Sequence, residues 1–195
     1  MHPVSSQIPL AEIVSFLHFL EKNSTWFFSL STLGFFLKRN PDQYLAGDLS
    51  YYIEAGLIEH VGDDIYAFII SSMIPFNAQE LLVHALRPSA LNYISFETAL
   101  NDYSIISQIP TLLTVATTGK DGFYESKSYR IEFIHVDHDW LTISQNCYYS
   151  QTQDILFASP LFALSDLCTL NRNTHLIQED EIEEAQAFYE SRQDQ

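Results

Sequence analysis

A chain of 195 residues can hold one domain or two small ones, each with its own core. Hydrophobic residues at 47% and aromatic residues at 14% exclude a disordered polymer. Nine Lys and Arg against 25 Asp and Glu leave a net charge of −16, which opposes a phosphate backbone unless the few cations share one face.

Taken in order, Met1–Ser6 lacks the charged start and apolar run of a signal peptide. No apolar span is long enough for a bilayer, so no membrane partner and a cytoplasmic location are expected. Leu10 to Lys22 predicts a helix behind Pro9, with Leu10, Ile13, Leu17 and Leu20 as its inner stripe, widened by Val14. Trp26-Phe27-Phe28 reads as a short extended piece. Ser29 or Ser31 caps a second helix to Lys38, with Leu33, Phe36 and Leu37 inward. Asn40-Pro41 starts a third, with Gln43 at the capping-box position and Leu45, Leu49, Tyr52 and Ile53 on one side. Gly56 suits a left-handed helix end. Two β-prone runs around Gly62-Asp63-Asp64 predict a hairpin. Three helices closed by a hairpin is the winged-helix plan, with Pro41–Ala55 in the recognition position. Residues 1–75 are therefore read as a winged-helix domain.

Residues 76–90 read as a connector helix, Ala78–Leu86 behind Asn77. Residues 91–178 follow as a mixed α/β domain, making the chain α+β. Within it Ser95 caps a helix over Phe96–Asn101, Ile105-Ile106 form an apolar plug, and Thr111–Thr117 is a buried strand. Gly119–Gly122 is a turn. The segment from Tyr129 alternates, with Tyr129, Ile131 and Phe133 on one face. Trp140-Leu-Thr-Ile is a further strand candidate, and Ser159-Pro160 begins a helix through Cys168. Residues 179–195 form an acidic helix with Ile182, Ala185, Phe188 and Tyr189 as a thin stripe. Cys147 and Cys168 make no metal or disulfide spacing and are expected to be reduced, mostly buried thiols.

The order Tyr93-Ile-Ser-Phe-Glu-Thr-Ala-Leu, then Tyr103-Ser-Ile-Ile, then a strand ending Val115-Ala-Thr-Thr-Gly, resembles the AbiEi-type antitoxins of type IV toxin–antitoxin systems. Phe157-Ala-Ser-Pro-Leu-Phe-Ala-Leu-Ser-Asp-Leu is similar to a later motif of that family, with Leu161-Phe162 in place of its glutamate–lysine pair. The likeness covers about three quarters of the chain. It implies a winged-helix transcriptional regulator that autoregulates an operon. It also implies a C-terminal domain countering a nucleotidyltransferase toxin without a stable complex.

For DNA, the residues of interest are Lys38, Arg39, Gln43, Ser50 and Tyr51, the first two for phosphate and the others for bases. Asp48 and Glu54 share the outer face of that helix, and Asp63-Asp64 occupy the wing, where the resembled family carries basic side chains. Lys120, Lys127 and Arg130 are candidates for a basic patch in the C-terminal domain.

Other chemistry is thin. Glu125-Ser126-Lys127 is an E-x-K, as in metal-dependent nucleases, with Asp102 and Asp121 as nominal partners. His135-x-x-His138 with Asp137 and Asp139 offers metal-ligand types at a strand end, where an i, i+3 pair does not converge. Asp166 lies near Ser159, with no histidine placed by sequence to complete a triad. No catalytic residue, metal or cofactor is expected. The leading expectation is an antitoxin-like regulator acting on operator DNA and a nucleotidyltransferase toxin. The alternatives are a protein-interaction module docking a basic partner and, more distantly, a metal-dependent nuclease.

Overall fold

Helix α1 (Leu10–Lys22) has the expected bounds but a different buried face. Ile13, Phe16, Leu17 and Leu20 point inward, while Leu10 and Val14 are 58% and 53% exposed. The Phe16 ring decides the phase by packing on Phe28 and Phe36, at 4.9 and 5.2 Å between centroids. The computed structural model describes residues 7–193, so Met1–Ser6 and residues 194–195 of the expected acidic tail lie outside the described residues.

The chain is α+β and divides into two units. The first runs up to Ala78 and includes Glu125–Ser128; the second comprises Gln79–Tyr124 and the chain from Tyr129 onward.

In the first unit α1 is followed by β1 (Phe27–Ser29), α2 (Leu30–Leu37) and α3 (Gln43–Glu54), then β2 (Ile58–Gly62) and β3 (Ile65–Phe68). The strands form an antiparallel sheet in the order β1-β3-β2, with Phe28 opposite Tyr66 and Glu59 opposite Ala67. Ser29 caps α2, its side chain accepting from the Thr32 amide at 3.2 Å. Asp42, not Asn40, caps α3, one carboxylate oxygen accepting from the Tyr44 and Leu45 amides at 3.0 Å. Gln43 is accordingly the first helical residue and not the far side of a capping box. Leu33, Leu45 and Leu49 are fully buried, whereas Leu37 and Ile53 are half-buried. Gly56, at φ 73°, ends the helix in the left-handed region as expected.

The second unit begins with α4 (Ala78–Leu86), which buries Leu82 and Val83 and groups with this unit from Gln79 on, not as a free-standing connector. Then come β4 (Asn92–Ile94), α5 (Phe96–Asp102), β5 (Leu113–Thr117), β6 (Gly122–Glu125) and β7 (Arg130–His135). After these follow α6 (Trp140–Asn146), β8 (Cys147–Ser150), β9 (Ile155–Ala158), α7 (Pro160–Thr169), a 3₁₀ turn (Thr174–Leu176) and α8 (Glu179–Gln193). The sheet order is β6-β7-β5-β4-β9-β8, with β5–β7 and β4–β9 parallel and β4–β5 and β8–β9 antiparallel. Strand β5 is buried on both faces, as its β-branched run predicts.

Trp140-Leu-Thr-Ile is not a strand. Asp139 accepts from the Thr142 amide at 2.8 Å and starts α6 there, with Ile143 as its buried residue. A local cap outweighs β propensity over so short a run. Cys168 is exposed and Cys147 is partly so, in place of two mostly buried thiols. In α8 Ala185 is buried and the Tyr189 ring packs on Tyr148 at 5.8 Å, while Phe188 is 54% exposed. Among the described residues no helix is long and apolar enough to cross a membrane.

Candidate functional site

The α2–α3 corner of the first unit gathers the residues singled out for DNA. Helix α2 ends at Lys38 in the left-handed region, φ 55°. The chain then passes close over Gly34, where a Cβ would lie 2.8 Å from the Arg39 carbonyl oxygen. Only glycine lets the turn lie this tight against the helix. Arg39 turns back onto α3, its Nη1 2.9 Å from Asp48 Oδ2. Asp48 is buried, not on the outer face, so this pair ties the turn to α3 and removes Arg39 from the exposed cations. Lys38, Gln43, Ser50 and Tyr51 are exposed, joined by Tyr44 and Gly47. The outer face of α3 is thus neutral and partly aromatic, with Glu54 at its end.

The hairpin tip is acidic. Asp63, at φ 47°, and Asp64 form the turn, and the Asp63 carbonyl lies 2.9 Å from His60 Nε2. Burial, followed by the nearby Asp64 charge, raises the Tyr66 hydroxyl above its ordinary value. On β2, Glu59 is buried and accepts from the Ser128 amide at 2.9 Å and the Ser128 hydroxyl at 2.6 Å. Burial opposes its ionisation, yet hydrogen bonds from Ser128, Ser126 and the Lys127 amide hold it below its usual value. Glu125 thus ends β6, and the Ser126 and Lys127 that complete the E-x-K lie in a loop tied to Glu59. Among the described residues no group of three or more His, Cys, Asp and Glu could hold a metal ion.

In the second unit the motif residues meet in three dimensions. Asp166 on α7 is buried and accepts from Ser95 Oγ at 2.6 Å and Tyr93 Oη at 3.0 Å on one oxygen. His138 Nε2 stands 3.0 Å from the other. Ser95 therefore does not cap α5 with its side chain, because its hydroxyl goes to Asp166. Phe162 stacks on Tyr93 at 5.6 Å and contacts the His138 ring at 5.1 Å. Burial above all, with the Asp166 charge second, pushes the Tyr93 hydroxyl far up and raises the Cys147 thiol. Folding brings a histidine to Asp166 that sequence did not place there. The order is nonetheless wrong for nucleophilic catalysis: the carboxylate lies between serine and histidine, and Ser95 is fully buried.

A second knot lies at Glu97. The Arg172 Nε reaches both Glu97 oxygens at 2.9 and 3.1 Å, while Nη1 and Nη2 grip Glu132 at 3.1 and 2.7 Å. Asn173 adds a 2.7 Å bond to Glu97. Burial disfavours the charged guanidinium, but these carboxylates more than offset it and raise its affinity for the proton. Arg172 was missed from sequence because 75 residues separate it from Glu97. The knot borders a cleft of about 230 Å³ that also touches Ile109, Pro110 and Leu176.

The remaining candidates disperse. Register pairs Leu113 with Ile131 and Thr117 with His135, so Arg130 and Lys120 lie toward opposite ends of β5–β7, ~13 Å apart or more. Lys127 groups with the first unit. The expected basic patch therefore does not form within the second unit. His135 and His138 also diverge: His135 Nδ1 lies 2.7 Å from the Gly119 carbonyl, and His138 goes to Asp166.

The fold and these contacts define an α+β protein with an exposed helical corner in one unit and an internally bonded polar centre in the other. No family model matches the chain, and no curated protein matches it.

Proposed function

We propose that this chain is an antitoxin-like transcriptional regulator and not an enzyme. Its first unit is a winged helix that binds operator DNA through α3, and its second counters a nucleotidyltransferase-type toxin. The observation that carries this reading is the convergence of two motifs on one carboxylate. Tyr93 and Ser95 of the first resembled motif bond Asp166 of the second, although more than 70 residues separate them. The two stretches that carry the likeness thus form one physical unit, which supports the relationship behind it. The order α1-β1-α2-α3-β2-β3, with an antiparallel β1-β3-β2 sheet, supports the winged-helix reading of the other unit.

The test is growth rescue. Cells expressing a nucleotidyltransferase-type toxin encoded beside this gene should recover when the full chain is co-expressed. Rescue should fail with Asp166→Ala. Continued arrest in the presence of soluble, folded wild-type chain would refute the antitoxin reading.

A second reading keeps the fold and exchanges DNA for a basic protein partner. The Arg39–Asp48 pair and the Asp63-Asp64 tip favour it, since together they leave an acidic first unit with few exposed cations. Recovery of a basic protein in a pull-down, together with no DNA binding at low salt, would select it.

A further inference from the structure

Gly47 is the fifth of the 12 residues of α3 and is exposed. A glycine inside a helix destabilises it relative to alanine, because it loses more backbone freedom on folding. Packing does not require it here: an added Cβ would meet no atom within 4 Å. Conformation does not require it either, since its backbone is helical and the positive-φ glycines are Gly56 and Gly62. Gly34, on α2, shows the contrast, with a Cβ blocked at 2.8 Å by the Arg39 carbonyl. A helix-weakening residue with neither cause sits on the outer stripe formed with Gln43, Ser50 and Tyr51, at i, i+4, i+7 and i+8.

These side chains flank Gly47 on both sides along the stripe. Gln43 carries an amide that can donate and accept toward adenine, while Ser50 and Tyr51 carry hydroxyls. Arg39, the arginine of this corner, is held by Asp48 and does not join them. With few cations to draw α3 toward phosphates, affinity has to come from close contact with base edges. We infer that Gly47 is the point at which the α3 backbone comes closest to the base edges of a bound duplex, its missing side chain letting Gln43 and Tyr51 reach the groove floor. This inference rests on the regulator reading.

The experiment begins with selection from a pool of random-sequence duplexes at low salt, using the full chain. The enriched duplex is then titrated against wild type and Gly47→Ala, and both proteins are melted. Gly47→Ala should melt higher by about 2–4 °C, as expected for an alanine that fits an exposed helix. It should nevertheless bind at least about tenfold more weakly, the loss expected when a base contact is pushed out of reach. Equal binding by a stabilised Gly47→Ala would overturn the inference and leave the regulator reading standing. Failure of wild type to enrich any duplex would instead bring down the regulator reading, and the inference with it.

Discussion

In the first unit the polar residues of the α3 outer stripe, Gln43, Ser50 and Tyr51, lie on the exposed side, and the core beneath is built from Leu33, Leu45, Leu49 and Tyr52. In the second unit the polar residues of the recognisable motifs turn inward. Tyr93 and Ser95 meet Asp166, Glu97 meets Arg172, and the Thr114 hydroxyl donates to the Ser95 carbonyl at 2.8 Å. The difference separates two meanings of a polar side chain. Inward, it fixes one arrangement of the core and reports on fold. Outward, on a helix that packing does not constrain, it is available to a partner.

The contrast can be broken first at the two cores, and the tryptophans separate them, with Trp26 in one unit and Trp140 in the other. Leu49→Ala should destabilise the first unit by about 2–5 kcal/mol, since the side chain is fully buried. Denaturant unfolding followed by Trp26 in a Trp140→Phe background measures it, and an unchanged midpoint would mean that α3 is not packed on this core. Asp166→Ala should cost the second unit about 2–4 kcal/mol, because it strands the buried Ser95 and Tyr93 hydroxyls. Here Trp140 is the reporter, in a Trp26→Phe background. A loss under about 0.5 kcal/mol would mean that the polar centre does not organise this core.

A smaller effect sharpens the comparison by pH. Glu59 is held below its ordinary value in the folded state, so the folded form binds fewer protons than the unfolded one around that value. Its contribution is therefore present above the unfolded pKa and lost as pH falls from about 5 through the folded value. Wild type should lose stability over that window more steeply than Glu59→Gln. Parallel pH profiles would remove the role given to the Ser126–Ser128 loop.

These elements also show what the sequence could convey. The bounds of α1 followed from periodicity, but its phase did not, because Phe16 gains its advantage from ring contacts with Phe28 and Phe36 that lie far along the chain. Strand β5 was legible because burial on both faces leaves an unbroken apolar, β-branched run. Trp140, Leu141 and Ile143 suit strands or cores alike, so the local sequence signal for helix α6 is its Asp139 cap. At the candidate site, the exposure of Gln43, Ser50 and Tyr51 followed from helical spacing. The loss of Arg39 to Asp48 did not, since it depends on how tightly the turn closes over Gly34. Likewise, no spacing rule connects His138 or Arg172 to its carboxylate across the fold.

The most direct test of the account is a titration of the full chain against the DNA upstream of its own gene, across a series of salt concentrations. Lys38 is the exposed cation of the α2–α3 corner, so binding should weaken with Lys38→Ala and strengthen when Asp63 and Asp64 are made Asn. The logarithm of affinity should fall with the logarithm of salt at a slope well short of that given by six to ten phosphate contacts. Saturable low-salt binding with a shallow slope and those two shifts is the predicted result. No binding at low salt, or a steep slope indifferent to Lys38, would contradict the claim that α3 is a DNA-reading helix.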